Sequence, residues 1–191
     1  MKLFRSSTSL GEVWRMLTPK DLAMVMIAVT ISVTLGLVAA QPIEALFLAL
    51  LAASAVIVAV CDLRYRIIPD LISLPLVAAG ICFAGVQRKE AFVTHLATAA
   101  AIAALLLMLR AMYFRLRQRV GLGLGDVKMI AAAAAWLGPL KFPDYLLVAA
   151  VSALLQSAVF RSVANRGHIP FGPALAFSLW VFVCVATLAR Y

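Results

Sequence analysis

Polar residues interrupt this chain only in short clusters, and the stretches between the clusters are apolar all round, with neither a helical nor a strand-like polar face. A helix that crosses a bilayer needs about 20 mostly apolar residues, with a range of about 17–25. Six runs approach that length, near residues 21–40, 43–60, 70–86, 91–113, 144–161 and 173–189, and a shorter seventh lies near 126–140. The connectors are brief: Gln41-Pro42, CDLRYRIIP (61–69), QRKE (87–90), FRLRQRVGLGLG (114–125), GPLKFPD (138–144) and RSVANRGHIPFG (161–172). The pattern predicts an all-α fold, a polytopic transmembrane helix bundle of six to seven spans. Residues 1–20 form a cytoplasmic or interfacial segment, and residues 21–191 a single membrane domain.

Composition agrees. The chain is 65% hydrophobic and 13% charged, against about 45–50% and about 25% in soluble domains. The net charge of +9 is not a nucleic-acid signature here, because the basic residues sit between apolar runs and contact lipid headgroups. With the N-terminus inside, thirteen of the seventeen Lys and Arg residues fall on the inner side, which puts the loops after Cys61, around Gly121–Asp126 and around His168 in the cytoplasm. Cys61, Cys82 and Cys184 form no CxxC pair and read as small buried hydrophobes, with neither a disulfide nor a zinc site expected. The opening MKLFRSSTSLGEVWRMLTPK lacks the continuous apolar core of a signal peptide. Phe4, Trp14, Met16 and Leu17 are its candidate interfacial contacts.

Two of the eight acidic residues stand out. Asp62 follows the apolar LAASAVIVAVC, and Asp126 heads the short run at 126–140, so both lie at the inner end of a span. Carboxylates at a membrane boundary are costly against lipid and turn toward the bundle interior. Two carboxyls that meet share a proton. The ionised one can take a proton from water as it attacks a peptide carbonyl, while the protonated one polarises that carbonyl. That chemistry needs no metal and no cofactor. Gly121, Gly123 and Gly125, ahead of Asp126, permit close backbone approach and an extended segment alongside. The competing reading makes Asp126 the cap of a helix N-terminus, where it favours the dipole, and the glycines plain loop.

CDLRYRIIPDLISLP (61–75), GLGLGDVKMI (121–130) and IPFGPALA (169–176) together resemble, in the same order, three motifs of the type IV prepilin peptidases, the A24 family of membrane aspartic proteases. The resemblance implies a peptidase domain over 21–191, with Asp62 and Asp126 as catalytic residues and Gly123 and Gly125 as the glycines of the GxGD element. Gly123, Gly125, Asp70 and Lys128 are the expected substrate-contacting residues. Asp70 falls where the family accepts Asn, so it caps the third helix or attracts a cationic leader. Lys128 tunes Asp126 or snorkels to headgroups. Pro170, Gly172 and Pro173 shape the start of the last helix, and His168 is left out of the site. The implied partners are prepilin or pseudopilin precursors, with a basic leader and an apolar helix, and membrane lipids. The implied location is the bacterial inner membrane with the site facing the cytoplasm. The compact form, without the family's cysteine-bearing insert, resembles peptidases of tight-adherence (Flp) pilus systems, with no N-methyltransferase activity expected. Two rivals are a presenilin-like intramembrane protease, whose PAL element PALA (173–176) echoes, and a non-enzymatic transporter or secretion-assembly subunit using intramembrane carboxylates as proton relays.

Overall fold

The structure is a computed structural model and describes residues 11, 13, 15, 17–39, 42–119, 121–160 and 171–189. Six helices follow among them: α1 Pro19–Ala39, α2 Pro42–Tyr65, α3 Asp70–Gln87, α4 Lys89–Arg117, α5 Leu124–Phe160 and α6 Gly172–Leu188. Five of these are long and apolar enough to cross a membrane, and α6 is a shorter apolar helix. Phe4, Trp14, Met16, His168 and Pro170 lie outside the described residues.

Helices win here because a backbone surrounded by lipid must satisfy its own hydrogen bonds. Proline and glycine set the turns. Pro19 and Pro42 open their helices, where a missing N–H costs nothing. α2 runs one turn further than the apolar pattern predicts, so Asp62 sits on helix and not in the connector. Arg64 in its last turn suits the negative end of the helix dipole, and Arg66, with φ 56°, stops the helix in the left-handed conformation.

The predicted break between the runs at 126–140 and 144–161 shrinks to one residue. Gly138, at φ 66° and ψ −176°, interrupts α5, and Pro139 starts the second arm at once. α5 is thus a hairpin of two arms. Its first arm runs alongside α3 in the same direction, with Lys128 beside Asp70 at one end and the Trp136 indole donating to the Leu76 carbonyl at 2.9 Å further along. α4 runs the opposite way, since Arg110 reaches the Leu122 carbonyl and His95 Nδ1 lies 2.8 Å from the Ala135 carbonyl. The second arm returns against α6, with Ser152 beside Ser178 and Pro139 and Leu140 sharing a cavity wall with Val183 and Thr187. The described path therefore traverses the bundle seven times. Asp62, Asp70, Asp126 and Gly172 gather at one end, and Glu44, Gly138 and Thr187 at the other.

The core is built of small and aromatic side chains. Ala132, Ala133, Ala134 and Ala135 are fully buried on the first arm of α5, so the neighbouring helices approach closely. Phe83 stacks obliquely on Trp136 with ring centroids 5.0 Å apart, and Phe47 meets Phe83 at 5.6 Å. Large exposed side chains such as Met26, Leu147 and Leu154 face the lipid that acts as this protein's solvent. α4 buries only Ala99. Cys61 and Cys184 are buried as expected, whereas Cys82 is exposed, on the outer face of α3.

Candidate active site

Asp62 is held by the start of α6. Its Oδ2 accepts the Gly172 backbone N–H at 2.7 Å, and the residue is only 7% exposed. The positive end of the α6 dipole therefore points at this carboxylate. The contact requires glycine, because a Cβ at position 172 would lie 2.7 Å from Oδ2 and 2.8 Å from Cγ of Asp62. The sequence pattern suggested only that Gly172 shapes a helix start. Its role against Asp62 had no local signal, since the two residues are far apart in the chain.

Asp126 is the third residue of α5 and half-buried. Its carboxylate lies back against Gly123, the residue that precedes the helix. A Cβ at Gly123 would sit 2.9 Å from Asp126 Oδ2. Asp126 thus stands in the first turn of its helix but not at the cap position that the competing reading gave it. Asp62 near the end of α2 and Asp126 at the start of α5 lie at the same end of the bundle, where Gly125 approaches Ile68 in the connector that follows Asp62.

The remaining predicted residues surround this pair. Gly125 packs on the connector between α2 and α3, where a Cβ would meet Ile68 Cβ at 2.8 Å. Residues 121–123 form an irregular segment, steadied by the Arg110 guanidinium on the Leu122 carbonyl and by the Tyr113 ring against Gly121. Arg110 and Tyr113 lie in the last turn of the apolar run at 91–113 on α4, and nothing in the motif pointed to them. Lys128 and Asp70 form an ion pair at 2.5 Å. The Asp70 partner of Lys128 is one that the sequence did not suggest. Asp70 makes no side-chain cap of α3, whose N-cap is Pro69.

A second carboxylate network lies beside the site. Asp21 Oδ2 accepts from Thr18 N and Oγ1 at 2.6 Å each, and Arg64 bridges to the same carboxylate at 2.7 Å. This ties the start of α1 to the last turn of α2, two residues past Asp62. Among the described residues, no group of His, Cys, Asp and Glu has the arrangement to hold a metal.

The type IV leader peptidase family matches residues 46–158, a span that contains both aspartates and the GLGLGD segment. The chain belongs to that family. Among curated relatives, a prepilin leader peptidase/N-methyltransferase of Neisseria gonorrhoeae is 37% identical over 123 residues, covering 63% of this chain and 42% of the relative. One of Burkholderia pseudomallei is 36% identical over 137 residues, 67% of this chain and 41% of its own length. The type 4 prepilin-like proteins leader peptide-processing enzyme of Escherichia coli is 26% identical over 133 residues, 69% of this chain and 49% of the relative. The chain thus spans less than half the length of these relatives. No solved structure matches it significantly.

Proposed function

We propose that this protein is a membrane-embedded aspartic endopeptidase that removes the short basic leader from type IV or Flp-type prepilin or pseudopilin precursors. The observation that supports the reading is the placement of Asp62 and Asp126 at one end of the bundle, in a chain of the leader peptidase family. In this mechanism the ionised aspartate takes a proton from water as the water oxygen attacks the scissile carbonyl carbon. The protonated aspartate gives its proton to the carbonyl oxygen. The tetrahedral intermediate then collapses, the C–N bond breaks, and a proton passes to the leaving nitrogen. No metal or cofactor takes part.

Asp62 accepts the Gly172 N–H at the start of α6, and on that contact Asp62 is assigned as the base and Asp126 as the initial acid. The irregular Gly121–Gly123 segment offers backbone groups to an extended leader junction, since a helical substrate would hide its carbonyl. The Asp70–Lys128 pair flanks the path into the site, where its charges orient the leader. The excess of Lys and Arg at the Asp62 end supports a location in the bacterial inner membrane, with the site at the cytoplasmic face.

The test uses membranes containing the full chain and a small prepilin from the same genome. The precursor mass is followed with wild type, Asp62→Asn and Asp126→Asn at matched expression. Loss of the leader just before the apolar helix, in wild type alone, is expected. A cut inside the apolar helix points instead to an intramembrane protease, and an intact precursor with wild type removes the peptidase reading.

A further inference from the structure

At the end of the bundle opposite the two aspartates, α2, α3, α4, the Gly138 hairpin and α6 enclose a cavity of about 650 Å³. Its walls include the buried rings of Phe83 and Trp136, together with Val183. Its polar lining carries both signs of charge, from Glu44 and Glu90 on one hand and Arg88 and Lys141 on the other.

Two polar groups of this lining are open to a ligand, and the second is a buried donor of the kind that requires a partner. Glu44 is only 8% exposed, and among the described residues no hydrogen bond or ion pair reaches its carboxylate. Gln87 Nε2 is buried with no hydrogen-bond partner. The first calls for a cation and the second for an acceptor. The aromatic walls also favour a cation, because an ammonium is attracted to the faces of Trp and Phe. Arg88, exposed between α3 and α4, supplies a positive charge next to Gln87, so the acceptor would be an anion. The ligand this lining fits is therefore zwitterionic.

Its depth narrows the source. Glu44 lies in the first turn of α2, Gln87 ends α3, and Gly138 turns α5. These are helix ends, the level of the lipid headgroups, where ammonium and phosphate occur joined by a short linker. We propose that this cavity binds the headgroup of an aminophospholipid, with its primary ammonium on Glu44 and its phosphate on Arg88 and Gln87. A primary ammonium has N–H donors for the Glu44 carboxylate, which a trimethylammonium lacks. The bound headgroup bridges α2, α3 and the start of α4, and so braces the bundle beside the hairpin, independently of the chemistry at the far end.

The full-length protein, purified and stripped of lipid, would be titrated with phosphatidylethanolamine, phosphatidylcholine and phosphatidylglycerol of identical chains. Native mass spectrometry reads retention and thermal melting reads stabilisation. The proposal predicts one retained phosphatidylethanolamine, preferred over the other two by at least about tenfold, the scale of one hydrogen bond to a charged group. Glu44→Gln and the exposed-site variant Arg88→Ala each reduce that retention by a similar factor, while Gln118→Ala, at the opposite end, retains it fully. Equal retention of phosphatidylethanolamine and phosphatidylglycerol would overturn the proposal, as would a folded Glu44→Gln protein that binds like wild type. Stabilisation by soluble phosphoethanolamine without any by the lipid would overturn the assignment to a membrane lipid.

Discussion

At the scale of single residues, the site depends on places where a side chain cannot fit. Gly172 brings the α6 backbone onto Asp62, and a methyl group there would strike the carboxylate itself. Gly172→Ala is therefore expected to displace Asp62 and to slow leader removal by at least about tenfold, a loss of one charge-assisted hydrogen bond. The protein should still fold, and a quantitative cleavage assay beside a melting curve separates the two effects. Gly125 makes a different demand, for contact with Ile68. Gly125→Ala should lose activity, and Ile68→Ala in the same chain should recover part of it, because the added methyl then occupies the space vacated. A double-mutant cycle measures that coupling. Additive losses would show that Gly125 serves the substrate directly and not this packing.

At the scale of elements, the α5 hairpin sets the short first arm, about 20 Å long at 1.5 Å per residue, that carries Asp126. Gly138 supports the reversal in two ways. Its φ of 66° is in the left-handed region, and a Cβ there would lie 2.5 Å from His95 Nε2. Gly138→Ala is expected to destabilise the protein by about 1–3 kcal/mol, seen as a lower melting temperature with cleavage preserved at low temperature. The Asp70–Lys128 pair should matter less to stability. Both side chains are about a quarter exposed, 25% and 27%, and ion pairs near water contribute about 0–1 kcal/mol. Neutralising either one should leave melting nearly unchanged, and the Asp70→Lys, Lys128→Asp exchange should separate pairing from leader attraction. Recovery of activity in the exchanged protein identifies a structural pair, and continued loss a direct role with the leader. α1 lies outside the matched family segment, yet Asp21 fastens it to Arg64. It is therefore an integral part of the site end of this bundle.

At the scale of the whole molecule, the sequence reading captured what lipid dictates and missed what long-range packing decides. Runs of apolar residues located each helix, because a spanning segment must be apolar along its length. Asp62 and Asp126 stood out among the span-end carboxylates through the motifs around them, CDLRYRIIPD and GLGLGD. The extent of α2 past Asp62 was not legible, since polar residues such as Arg64 continue a helix as readily as they end an apolar run. The pairing of Lys128 with Asp70 joins residues 58 positions apart, and the grip of Gly172 on Asp62 spans 110. Neither leaves a trace in local pattern. The seven traverses also predict sidedness. A single cysteine introduced at Gln118 and one at Leu140, each in a background without native cysteines, should label from opposite faces of sealed vesicles. Labelling from the same face would contradict the path of the α5 hairpin.

The most direct test of the central claim is the rate of leader removal by Asp62→Asn, Asp126→Asn and the double variant, measured in membranes at equal protein. Two carboxyls that work as one unit are lost as one unit. Each single variant should be slower than wild type by at least about 100-fold, the lower range of general acid–base catalysis, and the double variant should be no slower than either. Near-normal cleavage by one single variant, or losses that multiply in the double, would contradict a shared catalytic dyad.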